Sequence, residues 1–150
     1  MSDNVLRFLP TRPDHVPPDN GMELSLERLR QAFPDAQRVD AERFDSITFI
    51  DAGGNLEATY CPLCGAELDQ GWWLDAMDRA SEQDFARLAV TVPCCDAVTD
   101  LNELRYHWPQ GFARVVLEVL NPGTDRVPEA LLAELRVLVG CELRLVRAHY

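Results

Sequence analysis

Four of the five cysteines fall in two tight groups. One is Cys61-Pro62-Leu63-Cys64-Gly65, and the other is Pro93-Cys94-Cys95, about thirty residues later. Thiolates are soft ligands, and four of them drawn from two separate stretches of backbone make the donor set of a tetrahedral metal site. Zinc is the expected ion, with iron a minor variant of the same all-sulfur set. The pattern therefore predicts Cys61, Cys64, Cys94 and Cys95 as metal ligands. A set of four leaves no vacancy for water, so such an ion would brace the fold and activate nothing. One position stays open on the sequence alone. Neighbouring side chains on an extended strand point to opposite faces, so Cys94 and Cys95 can share an ion only where the backbone turns. Asp96 and His107 are the alternative fourth ligands. A site with only three protein ligands would instead be that of a zinc-dependent enzyme with an open coordination position.

The turn from Cys61 to Gly65 resembles the first knuckle of zinc-ribbon and rubredoxin-type sites. The resemblance covers Tyr60 to Ala66 closely. It covers Val92 to Ala97 more loosely, because the family's second Cys-x-x-Cys is here a pair of adjacent cysteines. The chain is also similar to small uncharacterised bacterial proteins that combine a Cys-Pro-x-Cys-Gly knuckle, a later Pro-Cys-Cys and a Trp-Pro-x-Gly-Phe stretch. Here those are Cys61 to Gly65, Pro93 to Cys95 and Trp108 to Phe112. That resemblance groups the cysteines and implies no activity. The competing chemistry is a redox dithiol at Cys61/Cys64. Such dithiols sit at a helix N-terminus, where the dipole lowers a thiol pKa, whereas Gly65 and the second cysteine pair favour metal. Cys141 is left over and is expected to be a small buried apolar residue at the start of a strand.

No other constellation points to catalysis. There is no Gly-x-Ser-x-Gly, no phosphate-cradling glycine loop and no His-Glu-x-x-His. His15 is expected to be solvated in a proline-rich loop, and His149 to be exposed near the end of the sequence. Asp69, Asp75 and Asp78 read as the wet face of a helix. Of the adjacent Trp72 and Trp73, one should face the core and the other the surface.

The chain has 150 residues, 47% of them apolar and 26% charged, which allows one domain with a workable core. The formal net charge is -11, and all 14 basic residues are arginine. A nucleic-acid partner is disfavoured by that field, since the arginines form no cluster. A basic protein partner suits it better. No apolar run approaches the roughly 20 residues that span a bilayer. The N-terminal residues lack a basic region followed by an apolar one, so a cytoplasmic location is the expectation.

The elements around the cysteines read as two similar units. Val5 to Leu9 is a strand, and a loop bearing Pro10, Pro13, Pro17 and Pro18 follows. Met22, Leu26, Leu29 and Phe33 lie at helical spacing, with Pro34 as the stop. Ser46 to Asp51 reads as a strand, Asp51 to Asn55 as a hairpin turn, and Leu56 to Tyr60 as the returning partner strand. At the other end, Ala113 to Leu120 is a strand, Pro128 to Gly140 brackets a helix, and Glu142 to His149 is the last strand. Two such units predict an α+β fold, ferredoxin-like, with βαβ-type halves in one sheet and the helices on one face. Residues 61–110 are then a zinc-binding insertion within a single domain. They are expected to hold a helix near Trp72 to Ala80, a strand over Leu88 to Val92, and a short helix capped by Thr99 or Asp100. An open sheet edge would admit a homodimer.

Overall fold

The computed structural model describes residues 2–150. Its elements follow the order β1 (Asn4–Pro10), α1 (Asp19–Ala32), β2 (Arg38–Ile50), β3 (Ala58–Tyr60), α2 (Gln70–Ser81), β4 (Ala89–Thr91), β5 (Val98–Asp100), β6 (Arg105–His107), β7 (Gly111–Leu120), α3 (Glu129–Val139) and β8 (Leu143–His149). Strands β2, β7, β1 and β8 form one sheet in that spatial order, with antiparallel pairing throughout. Counting these four strands in chain order gives 4-1-3-2, the ferredoxin-like arrangement expected of two βαβ halves. The α+β class is therefore observed. Among the described residues, no helix is long and apolar enough to cross a membrane.

Alternation sorts the sheet residues onto two faces. Leu6 and Phe8 of β1 and Val115, Leu117 and Val119 of β7 point to the helical side. There they meet Met22 and Leu29 of α1 and Leu131, Leu135 and Val139 of α3. The two helices approach closely at Gly21, where an added Cβ would lie 2.1 Å from the Leu138 carbonyl oxygen. Only glycine allows that approach. His15 is not free in its loop: its Nε2 lies 2.8 Å from the Val139 carbonyl, at the C-terminus of α3.

The opposite face is covered by the segment between β2 and β7. Leu9, Val116 and Val146 meet Ile50, Ala52 and Trp108 there. Beyond them lies a further core built on Trp73, Ala76, Met77 and Ala80 of α2 with Cys61, Val92, Leu101, Tyr106 and Phe112. Trp73 donates its indole N–H to Tyr106 at 3.1 Å, and Tyr106 donates to the Leu101 carbonyl at 2.6 Å. Trp72 is half-buried at the margin of the same core.

Three local expectations are corrected. The strand expected over Ser46–Asp51 begins earlier, at Arg38, with an irregularity between Arg43 and Thr48. The turn at Asp51–Asn55 forms, with the Asp51 carboxylate accepting the Gly53 amide at 2.7 Å, yet it closes no hairpin. Gly53 instead bridges to His149 at the edge of β8, and the expected returning strand survives as β3, paired with β6. The third is the short helix after Asp100. The Asp100 carboxylate does accept the Asn102 and Glu103 amides, at 2.8 and 2.9 Å, but the turn stops there and β6 follows.

Candidate metal centre

Two turns with the same backbone plan carry the four cysteines. In the first, the Cys61 amide bonds the Ala66 carbonyl at 2.9 Å and the Gly65 amide bonds the Cys61 carbonyl at 3.0 Å. In the second, the Val92 amide bonds the Ala97 carbonyl at 3.0 Å and the Asp96 amide bonds the Val92 carbonyl at 3.0 Å. Both turns close through a residue in the left-handed region, Gly65 at φ +77° and Asp96 at φ +58°. Glycine adopts that conformation freely, and aspartate is among the few other residues found there. Superposing the plans sets Cys61 against Val92, Pro62 against Pro93, Leu63 against Cys94, Cys64 against Cys95 and Gly65 against Asp96. The second turn thus has the plan of the first with one cysteine moved. Val92 fills the buried position that Cys61 occupies, and Cys94 stands at the exposed tip where the first turn has Leu63, 59% exposed.

This register explains how adjacent cysteines reach one point. The backbone turns between them, so the alternation of an extended strand does not apply. Sγ of Cys64 lies 3.3 Å from Sγ of Cys94, and Cys95 lies 4.0 Å from both Cys61 and Cys94. All four sulfurs fall within 4.8 Å of one another. A tetrahedral ion with metal–sulfur bonds of about 2.3 Å places its sulfurs about 3.8 Å apart, so the group has the dimensions such an ion requires. Asp96 and His107 do not join it. His107 lies on β6 with its Nε2 3.2 Å from a Glu57 carboxylate oxygen. Asp69, also named on sequence grounds, caps α2 by accepting the Trp72 amide at 3.1 Å. Cys141, expected to be buried, is half-buried just before β8.

The electrostatics show why this group wants a cation. Amide hydrogen bonds from Cys64 and then Leu63 pull the Cys61 thiol down to about 6, against the opposing effect of its burial. Cys94 is pushed up to about 12 by lost hydration and by its contacts with the Cys64 and Cys61 sulfurs. Four thiolates this close repel one another, so without a counter-charge one ionises early and another holds its proton. A divalent cation removes the conflict by taking all four as thiolates. The donor set fits a structural metal.

A polar junction fixes the cysteine-bearing segment to the sheet, and the sequence reading missed it. Arg144 of β8 directs Nη1 at the Asn102 carbonyl (2.9 Å), Asn102 Oδ1 (3.0 Å) and the Gln110 carbonyl (3.0 Å). Asn102 is 2% exposed; it also donates to the Thr11 carbonyl at 2.9 Å and accepts the Phe112 amide at 3.1 Å. Gly111 makes room: a Cβ there would lie 2.7 Å from Arg144 Nη1. The one available signal was Arg144 itself, a charge on the sheet face that also carries Val146 and Ala148.

No protein-family model, curated protein or solved structure matches this chain. The reading of the site rests on its geometry.

Proposed function

We propose that Cys61, Cys64, Cys94 and Cys95 hold one zinc ion in a closed, zinc-ribbon-type site, and that the protein works by protein contact and not by chemistry. The observation that carries this reading is the convergence of all four sulfurs within 4.8 Å. Four thiolates satisfy the ion's preferred number, so no position remains for a substrate or an activated water. Zinc suits this all-sulfur tetrahedron and needs no redox partner. In this reading residues 61–110 are an insertion whose fold the ion holds together.

Charge supports the contact role. Residues 51–110 hold 11 of the 25 acidic residues and 3 of the 14 arginines, a net -8 out of -11 for the chain. Four thiolates around a divalent ion add two further negative charges to that side. A surface of this kind suits a basic protein partner and speeds its approach.

Metal analysis of protein purified without added metal is expected to give one zinc per chain. The four cysteines should resist a thiol reagent until a strong chelator is added, while Cys141 reacts independently. Replacement of zinc by cobalt should give the spectrum of a tetrahedral all-thiolate site. An exchangeable solvent ligand in the cobalt spectrum would point instead to a zinc enzyme with an open position. Any basic partner recovered by affinity capture should bind with an association rate that falls steeply as salt rises. A salt-independent rate would remove the charge argument.

A further inference from the structure

The four sulfurs are not equivalent. Cys61 is fully buried and accepts the Leu63 amide at 3.4 Å, whereas Cys64, Cys94 and Cys95 are exposed. Cys94 stands apart even from these. It occupies the tip of its turn, where its counterpart Leu63 projects into solvent. Amide support of the kind Cys61 receives draws charge from a sulfur and lowers its nucleophilicity. Among the described residues, the hydrogen-bonding neighbours of Cys94 Sγ are the Cys64 and Cys95 sulfurs. The nearest sulfur to it is that of Cys64, at 3.3 Å, and both residues are exposed. The Cys61–Cys95 and Cys94–Cys95 separations are both 4.0 Å, and the first of these pairs includes the buried thiol.

The geometry points to Cys94 as the site at which a hydroperoxide oxidises the metal centre, with Cys64 as the resolving thiolate. This inference rests on the zinc reading above. Exposure and thiolate character set which cysteine oxidises first, and a metal-bound sulfur keeps its thiolate character at neutral pH. Cys94 Sγ attacks one peroxide oxygen, the O–O bond breaks, and the second oxygen leaves as hydroxide (or as alkoxide from an organic hydroperoxide). Cys94 is then a sulfenic acid. The Cys64 thiolate attacks its sulfur, the S–S bond forms, and the S–O bond breaks to release a second hydroxide. Two electrons pass from the sulfurs to the peroxide, and solvent protons convert the leaving oxyanions to water or alcohol. The ion is left with two of its four protein ligands and escapes. The product has a particular topology: Cys64 and Cys94 lie on different turns, so the disulfide still ties those turns together after the metal has gone.

The test uses the full-length zinc-loaded protein and hydrogen peroxide. Zinc release is followed with a chromophoric chelator, and a non-reduced digest is mapped by mass spectrometry at matched times. One zinc released per disulfide, with the linked peptides joining Cys64 to Cys94, is the expected result. Cys94→Ser is expected to slow peroxide-driven release at least tenfold in whatever fraction loads zinc. The peptide map of the unaltered chain does not depend on how well that variant loads and stands as an independent readout, and Cys141→Ala should leave both readouts unchanged. Zinc retained under peroxide, or a first disulfide joining Cys94 to Cys95 or including Cys61, would overturn the inference and leave the zinc reading intact. Protein that never contained zinc would overturn the zinc reading itself.

Discussion

Cys61→Ser protein is expected to purify without stoichiometric zinc and to lose the fixed environment of its tryptophans while most of its helical signal persists. All three tryptophans, Trp72, Trp73 and Trp108, lie in the segment between β2 and β7. Their emission therefore reports on that segment, and far-UV ellipticity reports more on α1, α3 and the main sheet. Cys61 is the proposed ligand that lies within the core of Trp73, Met77, Val92 and Leu101. Serine offers a poor ligand there and an unpaired hydroxyl in place of a buried sulfur. The small sheets beside the site have three residues per strand, too few to persist unaided. Zinc binding in isolated finger peptides is worth on the order of 10 kcal/mol, and a fraction of that exceeds anything two three-residue pairings supply. A red-shifted emission spectrum with a largely unchanged helical minimum is the expected outcome, reproduced in the unaltered chain by a strong chelator. A metal-free variant with native emission would show that the segment folds without its ion.

Asn102→Ala should have the second largest effect, through the junction and without touching a ligand. The substitution removes the acceptor of the Phe112 amide and of Arg144, and the donor to the Thr11 carbonyl. The Phe112 amide is then buried without its acceptor, the half-buried Thr11 carbonyl loses its donor, and the half-buried Arg144 keeps the Asn102 and Gln110 backbone carbonyls but loses its side-chain partner. Arg144 is already pulled below its ordinary pKa by burial, with Glu103 and Asp100 opposing that shift from a distance. Unpaired buried groups of this kind cost roughly 2–4 kcal/mol together, which in a chain of this size lowers Tm by about 5–15 °C. Asn102→Asp keeps the acceptor and adds a carboxylate beside Arg144, so calorimetry should find a smaller loss for it than for the alanine variant. Equal losses, or an alanine effect under about 1 kcal/mol, would mean that the junction does not couple the two layers.

The frame of the fold was legible because its strands and helices carry their partners' pattern in their own residues. Leu6 and Phe8 alternate in β1, and Met22, Leu26 and Leu29 recur at helical spacing in α1. The core that receives them has just that geometry. The early half of β2 carried only a short signal: Val39 and Ala41 alternate with charged residues and do join that core. Arg38 to Phe44 is largely exposed at the sheet edge, and its strand conformation comes from hydrogen bonds to β7. The pairing of β3 with β6 was hidden for a related reason. A glycine turn states that the chain reverses, and only the rest of the fold decides what lies beside it. The cysteine cluster was visible from residue type and spacing. All four members were named on that basis, but the choice between Cys95, Asp96 and His107 as the fourth stayed open, because it depends on where the second turn closes. That point is marked by Asp96 in a backbone conformation that glycine usually takes.

The main sheet has one further property. Ile50, the last residue of β2, is paired in register with Gly111, the first of β7. Everything from Asp51 to Gln110 therefore leaves and re-enters the sheet at a single doorway, as if it were the tip of a hairpin. Residues can be gained or shed there without shifting the alignment of any strand, since the pairing from Thr48–Ala113 to Ile50–Gly111 closes the sheet at that point. The scaffold can thus change its cargo while keeping its frame, held to it by the clasp at Arg144.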